Sequence, residues 1–89
     1  MIGRQVTIIN KLGLHARAAA KLVATASAFN SNILIGRDDN LADCKSIMSV
    51  MMLAAGQGSV LRFEVDGRDE QQALSAIVDL IGRRFDEEE

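Results

Sequence analysis

Apolar residues along this chain switch repeatedly between two spacings, and this alternation is the feature that most restricts its fold. In residues 59–66, SVLRFEVD, the apolar Leu61, Phe63 and Val65 alternate with Arg62 and Glu64, which is typical of a strand with one buried face. From Ala16 the apolar residues instead recur every three or four positions, as on an amphipathic helix. The two spacings continue along the chain and predict further strands at 4–9, 32–36 and 41–44 and further helices after residues 46 and 69.

The predicted order is therefore β-α-β-β-α-β-α. Four strands can form one sheet, and each long helix carries a single apolar stripe, so the helices are expected to cover one sheet face and leave the other in water. This is an α+β, open-faced two-layer sandwich. At 89 residues, the chain is expected to form a single domain over 1–89.

Local signals at the ends of the elements refine this prediction. Ser46 and Asp69 are good N-caps for the second and third helices. Gly56 is suited to the residue that follows the end of the second helix. The four acidic residues 86–89 are expected to be frayed and solvated.

Composition excludes several classes of function. A single cysteine, Cys44, allows no internal disulfide and no cysteine metal cluster, and we expect it to be a small buried apolar residue. No metal or cofactor is expected. The N-terminal MIGRQVTII is too short and polar for a signal peptide, and no apolar run approaches the ~18 residues of a membrane span, so a cytoplasmic protein without membrane attachment is expected.

Nucleic acid is also disfavoured as a partner. The net charge is -2, and the chain has neither tryptophan nor tyrosine on which bases could stack. All three phenylalanines are predicted to lie in the core.

The only histidine, His15, lies where the first strand gives way to the first helix, in KLGLHARAAAKL. The partial positive charge of a helix start disfavours a protonated imidazole, and a neutral ring nitrogen is a competent nucleophile. The free N–H groups of Ala16 and Arg17, together with the Arg17 guanidinium, could receive a phosphoryl group. The site therefore suits a histidine that accepts a phosphoryl group and passes it on. Taken alone, however, His-X-Arg is a weak signal, and a capping or surface histidine explains it more simply.

Two segments together carry a resemblance to a known family. GLHARAAAKLV resembles the active-site signature of HPr, the histidine phosphocarrier family of the phosphoenolpyruvate-dependent phosphotransferase system, and KSIMSVMML resembles that family's regulatory-serine signature. The two segments have the family's order and spacing, and the resemblance covers essentially the whole chain. It implies three helices over a four-stranded antiparallel sheet.

The resemblance also implies a function. A carrier of this family is not itself an enzyme: enzyme I phosphorylates it, and it passes the phosphoryl group to a histidine of an enzyme IIA. His15 matches the phosphorylated histidine, for which the family implies Nδ1, and Arg17 matches the assisting arginine. The family usually has proline where this chain has Ala18, which predicts a quantitative effect on transfer.

The branch of the family is indicated by three segments, which are most like the nitrogen-related branch (NPr): NKLGLHARA, MMLAAGQG and FDEEE. Carriers of that branch act in regulation. The alternative is a general sugar-system carrier.

Ser46 matches the serine that a dedicated kinase or phosphorylase modifies in part of the family. Lys21, Lys45, Met48 and Met51 are predicted partner contacts, on an apolar patch with a basic rim. We expect a monomer.

Two other hypotheses remain at this point. One is a non-catalytic regulatory module that binds partners according to the phosphorylation of Ser46 or His15. The other is a nucleic-acid-binding α+β domain, against which the acidic balance counts.

Overall fold

The computed structural model describes all 89 residues, and its elements follow the predicted order. The strands are β1 (Ile2–Thr7), β2 (Asn32–Arg37), β3 (Asn40–Asp43) and β4 (Val60–Asp66). The helices are α1 (Ala16–Ser27), α2 (Ile47–Met52) and α3 (Glu70–Gly82), followed by a short 3₁₀ turn at Arg84–Asp86. None of these helices combines the length and the apolar character that crossing a membrane requires.

The four strands form one antiparallel sheet in the order β1-β4-β2-β3. The predicted alternation in β4 is confirmed, since Leu61, Phe63 and Val65 are fully buried. Arg62, between them, points to the exposed face, where it pairs with Glu64 at 2.7 Å. The α+β open-faced sandwich predicted from the sequence is therefore confirmed.

The core lies between the inward face of the sheet and the apolar stripes of α1 and α3. α1 contributes four buried residues, Ala18, Ala19, Leu22 and Ala26, and α3 contributes Ala73, Ile77, Leu80 and Ile81. Two phenylalanines, Phe63 and Phe85, are fully buried as expected, whereas Phe29 is only half-buried. Cys44 is fully buried, in agreement with the sequence analysis.

The first strand lies earlier than the sequence indicated. It was predicted at 4–9 but runs from Ile2 to Thr7, paired along its length with β4. Ile8 leaves the regular ladder and is nevertheless fully buried, and its N–H donates to the Ser59 carbonyl at 2.9 Å. Because Ile8 is buried although it lies beyond the end of β1, the apolar pattern in the sequence predicted a strand end that is too late.

The prediction that Gly56 follows the end of α2 is wrong. The helix ends at Met52, and Ala54 takes the left-handed conformation at a φ of 48°. The Arg37 guanidinium donates to the carbonyls of Leu53 and Ala54 at 3.2 and 3.4 Å. A side chain from β2 therefore binds the unpaired carbonyls that a helix end leaves.

Asp69 precedes α3 as predicted, but its side chain does not cap that helix. Its carboxylate accepts hydrogen bonds from the backbone N–H groups of Asn30 and Ser31, both at 2.9 Å, and from the Ser31 hydroxyl. The Ser31 hydroxyl and these N–H groups stabilise the ionised form, so the pKa of Asp69 lies below its usual value. Asp69 therefore joins the start of α3 to the loop after α1.

Candidate functional site

His15 occupies the N-cap position of α1, with an extended backbone at φ -70° and ψ 174°. Its carbonyl accepts the first hydrogen bond of the helix, from Ala19 N–H at 2.8 Å. Its side chain makes no capping hydrogen bond and is 25% exposed. The imidazole is therefore not occupied in stabilising the helix, and solvent reaches it.

The loop before His15 is held by close packing at Gly13. This residue has a φ of +66°, and a Cβ atom there would lie 2.5 Å from the Ala55 carbonyl oxygen. The same carbonyl accepts a hydrogen bond from Leu14 N–H at 2.8 Å. Glycine is thus needed for both its conformation and its small size, and the segment after α2 sets where α1 and His15 begin.

Asn10 also shapes this loop. It is fully buried, and its amide Nδ2 donates to the Gly13 carbonyl at 2.8 Å. The Gly13 N–H in turn donates to the Asn10 carbonyl at 3.2 Å. The turn from 10 to 13 is therefore closed from both sides, directly before His15.

The start of α1 presents an anion-binding arrangement beside the imidazole. Ala16 and Arg17 are the first two helical residues and are exposed. Their N–H groups precede the first main-chain hydrogen bond of the helix, so they point outward without an intrahelical acceptor. The Arg17 side chain forms neither an ion pair nor a hydrogen bond, which leaves its guanidinium free for an anion.

The acidic residues 86–89 are solvated as predicted at Asp86, Glu88 and Glu89, but the segment does not fray and folds back onto this site. Glu87 contacts His15 Nε2 through Oε2 and accepts a hydrogen bond from Asn10 Nδ2 at 3.0 Å through Oε1. Burial of Glu87 raises its pKa, but the hydrogen bonds from His15 and Asn10, with Arg17 nearby, outweigh burial and hold the pKa below its usual value. Pairing of Glu87 with the buried Asn10 and the partly exposed His15 thus offsets the tendency of a charged terminus to fray.

Basic residues from the start of the chain face this acidic segment. Lys11 Nζ lies 3.3 Å from the Glu89 carboxylate, and Lys21 Nζ donates to the Phe85 carbonyl at 2.8 Å. With Arg17, they line an open cleft of about 470 Å³ against residues 86–89. Of the three basic side chains, Lys11 and Lys21 are engaged within the molecule, and Arg17 is free.

Ser46 and Lys45 lie toward the other end of α1. The Ser46 hydroxyl accepts from Ser49 N–H at 3.4 Å, which confirms Ser46 as the N-cap of α2. Lys45 Nζ donates at 2.7 Å to the carbonyl of Phe29, two residues beyond α1. His15 precedes the other end of this 12-residue helix, which is about 18 Å long. The structure thus groups Arg17 and Lys21 with His15, and Lys45 with Ser46.

The methionines of α2 are exposed. Met48 and Met51 are 68% and 42% exposed, and Met52, which the sequence analysis did not single out, is 80% exposed. Only Val50 of this helix is buried. The helix consequently presents an apolar surface to solvent.

Sequence reasoning missed two residues of the site, Asn10 and Glu87. They lie 77 positions apart in the chain, and each has an ordinary local explanation, a turn residue and a charged terminus. No local pattern indicates that they meet at the imidazole.

The family model and two curated relatives that match this chain are all described as HPr. Residues 2–83 match the family model described as the PTS HPr component phosphorylation site. The chain is 55% identical over 89 residues to the phosphocarrier protein HPr of Cupriavidus necator, with both chains covered completely. It is 54% identical over 86 residues to HPr of Pseudomonas aeruginosa, with 96% of each chain covered.

Solved structures agree with this result. HPr-C-His from Thermoanaerobacter tengcongensis superposes with a TM-score of 0.95 and 45% identity over the whole of both chains. HPr from Bacillus anthracis superposes with a TM-score of 0.83 and 37% identity, covering 88% of this chain and 93% of the other.

Proposed function

The chain belongs to the HPr family of phosphotransferase-system phosphocarriers, and we propose that His15 is the residue that carries its phosphoryl group. Enzyme I, charged from phosphoenolpyruvate, donates the group to His15, which passes it to a histidine of an enzyme IIA. The observation that carries this proposal is the partly exposed, non-capping imidazole at the start of α1, next to an unpaired Arg17. Residues 1–89 act together as one carrier domain.

The neighbouring groups stabilise the transferred phosphoryl group. The N–H groups of Ala16 and Arg17 donate to its oxygens, and the field of the helix start favours its negative charge. The Arg17 guanidinium supplies a charge-assisted hydrogen bond from a side chain that nothing else in the molecule occupies.

Partners dock on the surface that surrounds His15 and continues across α2. Met48 and Met51 offer flexible apolar contacts suited to unlike partners, while Lys21 and Lys45 supply positive charge at its edges. The exposure of Met52 adds a third methionine to this surface. The carrier works as a monomer in the cytoplasm.

Phosphorylation of Ser46 by a serine kinase, and its reversal by a phosphorylase, would regulate this docking. Ser46 is a partly exposed residue, and its hydroxyl lies at a helix start that tolerates a phosphate. The added negative charge lies beside Lys45 and would weaken attraction to acidic partners.

We further propose the nitrogen-related branch, whose carriers act in regulation, on the segments NKLGLHARA and MMLAAGQG. The sugar-system carrier is the alternative, and the choice of enzyme I separates the two. Transfer from a nitrogen-type enzyme I in preference to a sugar-type enzyme supports the proposal; the reverse preference contradicts it.

The central experiment is a phosphoryl-transfer assay with phosphoenolpyruvate, magnesium and each enzyme I in turn. Intact mass should report one added phosphoryl group, acid-labile and absent from His15→Ala. Arg17→Ala should accept the group more slowly. A folded protein that remains unmodified with both types of enzyme I would contradict the carrier role and favour a regulatory binding module.

A further inference from the structure

Glu87 forms a bridge between two side chains that belong to the opposite end of the chain. One carboxylate oxygen contacts His15 Nε2, and the other accepts from Asn10 Nδ2 at 3.0 Å. The Glu87 side chain is only 13% exposed, and Asn10 is fully buried. Asn10 is itself held by its hydrogen bond to the Gly13 carbonyl. The carboxylate is therefore anchored on the loop that positions the histidine.

The chain on either side of Glu87 is also held in place. Phe85 is fully buried, and its carbonyl accepts from Lys21 Nζ at 2.8 Å. Beyond Glu87, the Glu89 carbonyl accepts from the Lys11 N–H, and the Glu89 carboxylate pairs with Lys11 Nζ at 3.3 Å. These contacts before and after Glu87 restrict the positions that its carboxylate can take.

We propose that Glu87 is a positioning residue for phosphoryl transfer, which holds the hydrogen of the neutral His15 ring on Nε2 and leaves the lone pair on Nδ1. An ionised carboxylate can only accept hydrogen bonds, so its contact with Nε2 requires a hydrogen on that nitrogen. Nδ1 has no hydrogen-bond partner within the molecule. This inference rests on the proposed role of His15 and adds the residue that prepares its nucleophile.

The transfer step balances in this arrangement. The Nδ1 lone pair forms the new N–P bond, and the electron pair of the broken bond returns to the donor. The ring then has a hydrogen on Nε2 and a phosphoryl group on Nδ1, so the imidazole carries a formal positive charge. Glu87 faces that charge as it develops, as a carboxylate does behind the histidine of a catalytic triad. In onward transfer the same steps run in reverse, and the ring returns to its neutral Nε2–H form.

The tautomer can be measured without any partner protein. In protein with ¹⁵N-labelled histidine, the parent should show the Nε2–H tautomer and a resolved, slowly exchanging Nε2–H proton. Glu87→Ala should lose this protected proton and gain Nδ1–H tautomer, and Glu87→Gln should show a smaller change in the same direction. Glu88→Gln is the matched control, because it removes a charge from an exposed neighbour that forms no ion pair or hydrogen bond. A thermal scan of each variant confirms that it is folded.

Phosphoramidate then tests the chemistry, since it phosphorylates imidazole with release of ammonia. The parent and Glu88→Gln should form Nδ1-phosphohistidine, identified by ¹H–³¹P correlation. Glu87→Ala should react about tenfold more slowly, the loss expected for one charge-assisted hydrogen bond, and should give a mixture of Nδ1 and Nε2 products. Glu87→Gln should fall between them, because its amide oxygen can still accept from Nε2.

The outcomes separate the two proposals. If the tautomer, product and rate of Glu87→Ala match those of the parent, the positioning role of Glu87 is overturned while the carrier role stands. If the parent shows the protected Nε2–H but accepts nothing from any enzyme I, the carrier role fails. If the parent forms Nε2-phosphohistidine, the assignment of Glu87 is wrong.

Discussion

At the residue scale, the site depends on small and polar side chains whose positions allow few replacements. Gly13 fits against the chain after α2, and Asn10 closes the turn beside it. Neither residue would react with a phosphoryl group. Both determine where the imidazole lies, so their substitution should affect His15 from a distance.

Gly13→Ala should destabilise the protein by about 2 kcal/mol, because alanine is strained at positive φ and its Cβ would overlap the Ala55 carbonyl. Urea unfolding measures this change. Gly56→Ala is the matched control, since a Cβ there meets nothing within 4 Å. Equal stability of the two variants would show that the loop before His15 adapts freely.

Asp69→Asn should lower the melting temperature at neutral pH, because the hydrogen bonds from Ser31 and Asn30 favour the ionised carboxylate. Since folding lowers the pKa of Asp69, its contribution is complete above the unfolded pKa of about 4 and is lost as the pH falls through the lower folded value. Melting curves from neutral to acidic pH should therefore show parent and variant converging. Asp38→Asn, at an exposed turn residue, should leave the curves unchanged.

At the scale of single elements, α2 is the helix with the least burial against the core. It has six residues, of which only Val50 is buried, so its capping contacts matter more than those of α1 or α3. The Ser46 hydroxyl accepts a hydrogen bond from Ser49 N–H at the start of α2. The Arg37 guanidinium donates to the carbonyls beyond the end of this helix. The residue proposed for regulation therefore also holds the helix that presents the methionines.

Ser46→Ala should cost about 1 kcal/mol of stability through loss of the N-cap, whereas Ser46→Asp should keep the cap and much of the stability. Urea unfolding compares the two. If docking responds to charge, Ser46→Asp should slow phosphoryl transfer more than Ser46→Ala does. The opposite ranking would mean that the serine acts through helix stability alone.

At the scale of the whole molecule, one core joins both ends of the chain. Phe85, beyond the last helix, packs with the sheet residues, and the acidic segment after it reaches His15. Cys44 lies in the same core, and its burial raises the pKa of its thiol to about 12. Phe85 thus ties the site to the core, and the burial of Cys44 reports on the integrity of that core.

Cys44 should therefore react with a thiol reagent only when the molecule opens, since neither access nor thiolate is available in the folded state. Labelling rates measured across low urea concentrations should rise in parallel with the unfolding equilibrium. Rapid labelling without urea, at a rate near that of a free cysteine, would contradict this expectation.

The sequence by itself determined the order of elements, the open-faced sheet and the candidate histidine, because these depend on residues close together in the chain. Apolar spacing separates strand from helix within a few residues, as in β4, and a helix start gives His15 and Arg17 their setting locally. The family resemblance implied a role for His15 and for Arg17.

Only the tertiary structure decided the polar contacts between distant parts of the chain, including the one that reaches the imidazole. Arg37 at the end of α2, Asp69 on Ser31, and Glu87 between Asn10 and His15 each join residues at least 16 positions apart. Such contacts leave no periodic trace in the sequence, since each depends on a single polar side chain and not on a repeating pattern. They form because chain segments folded against one core must find partners for polar groups that lose water.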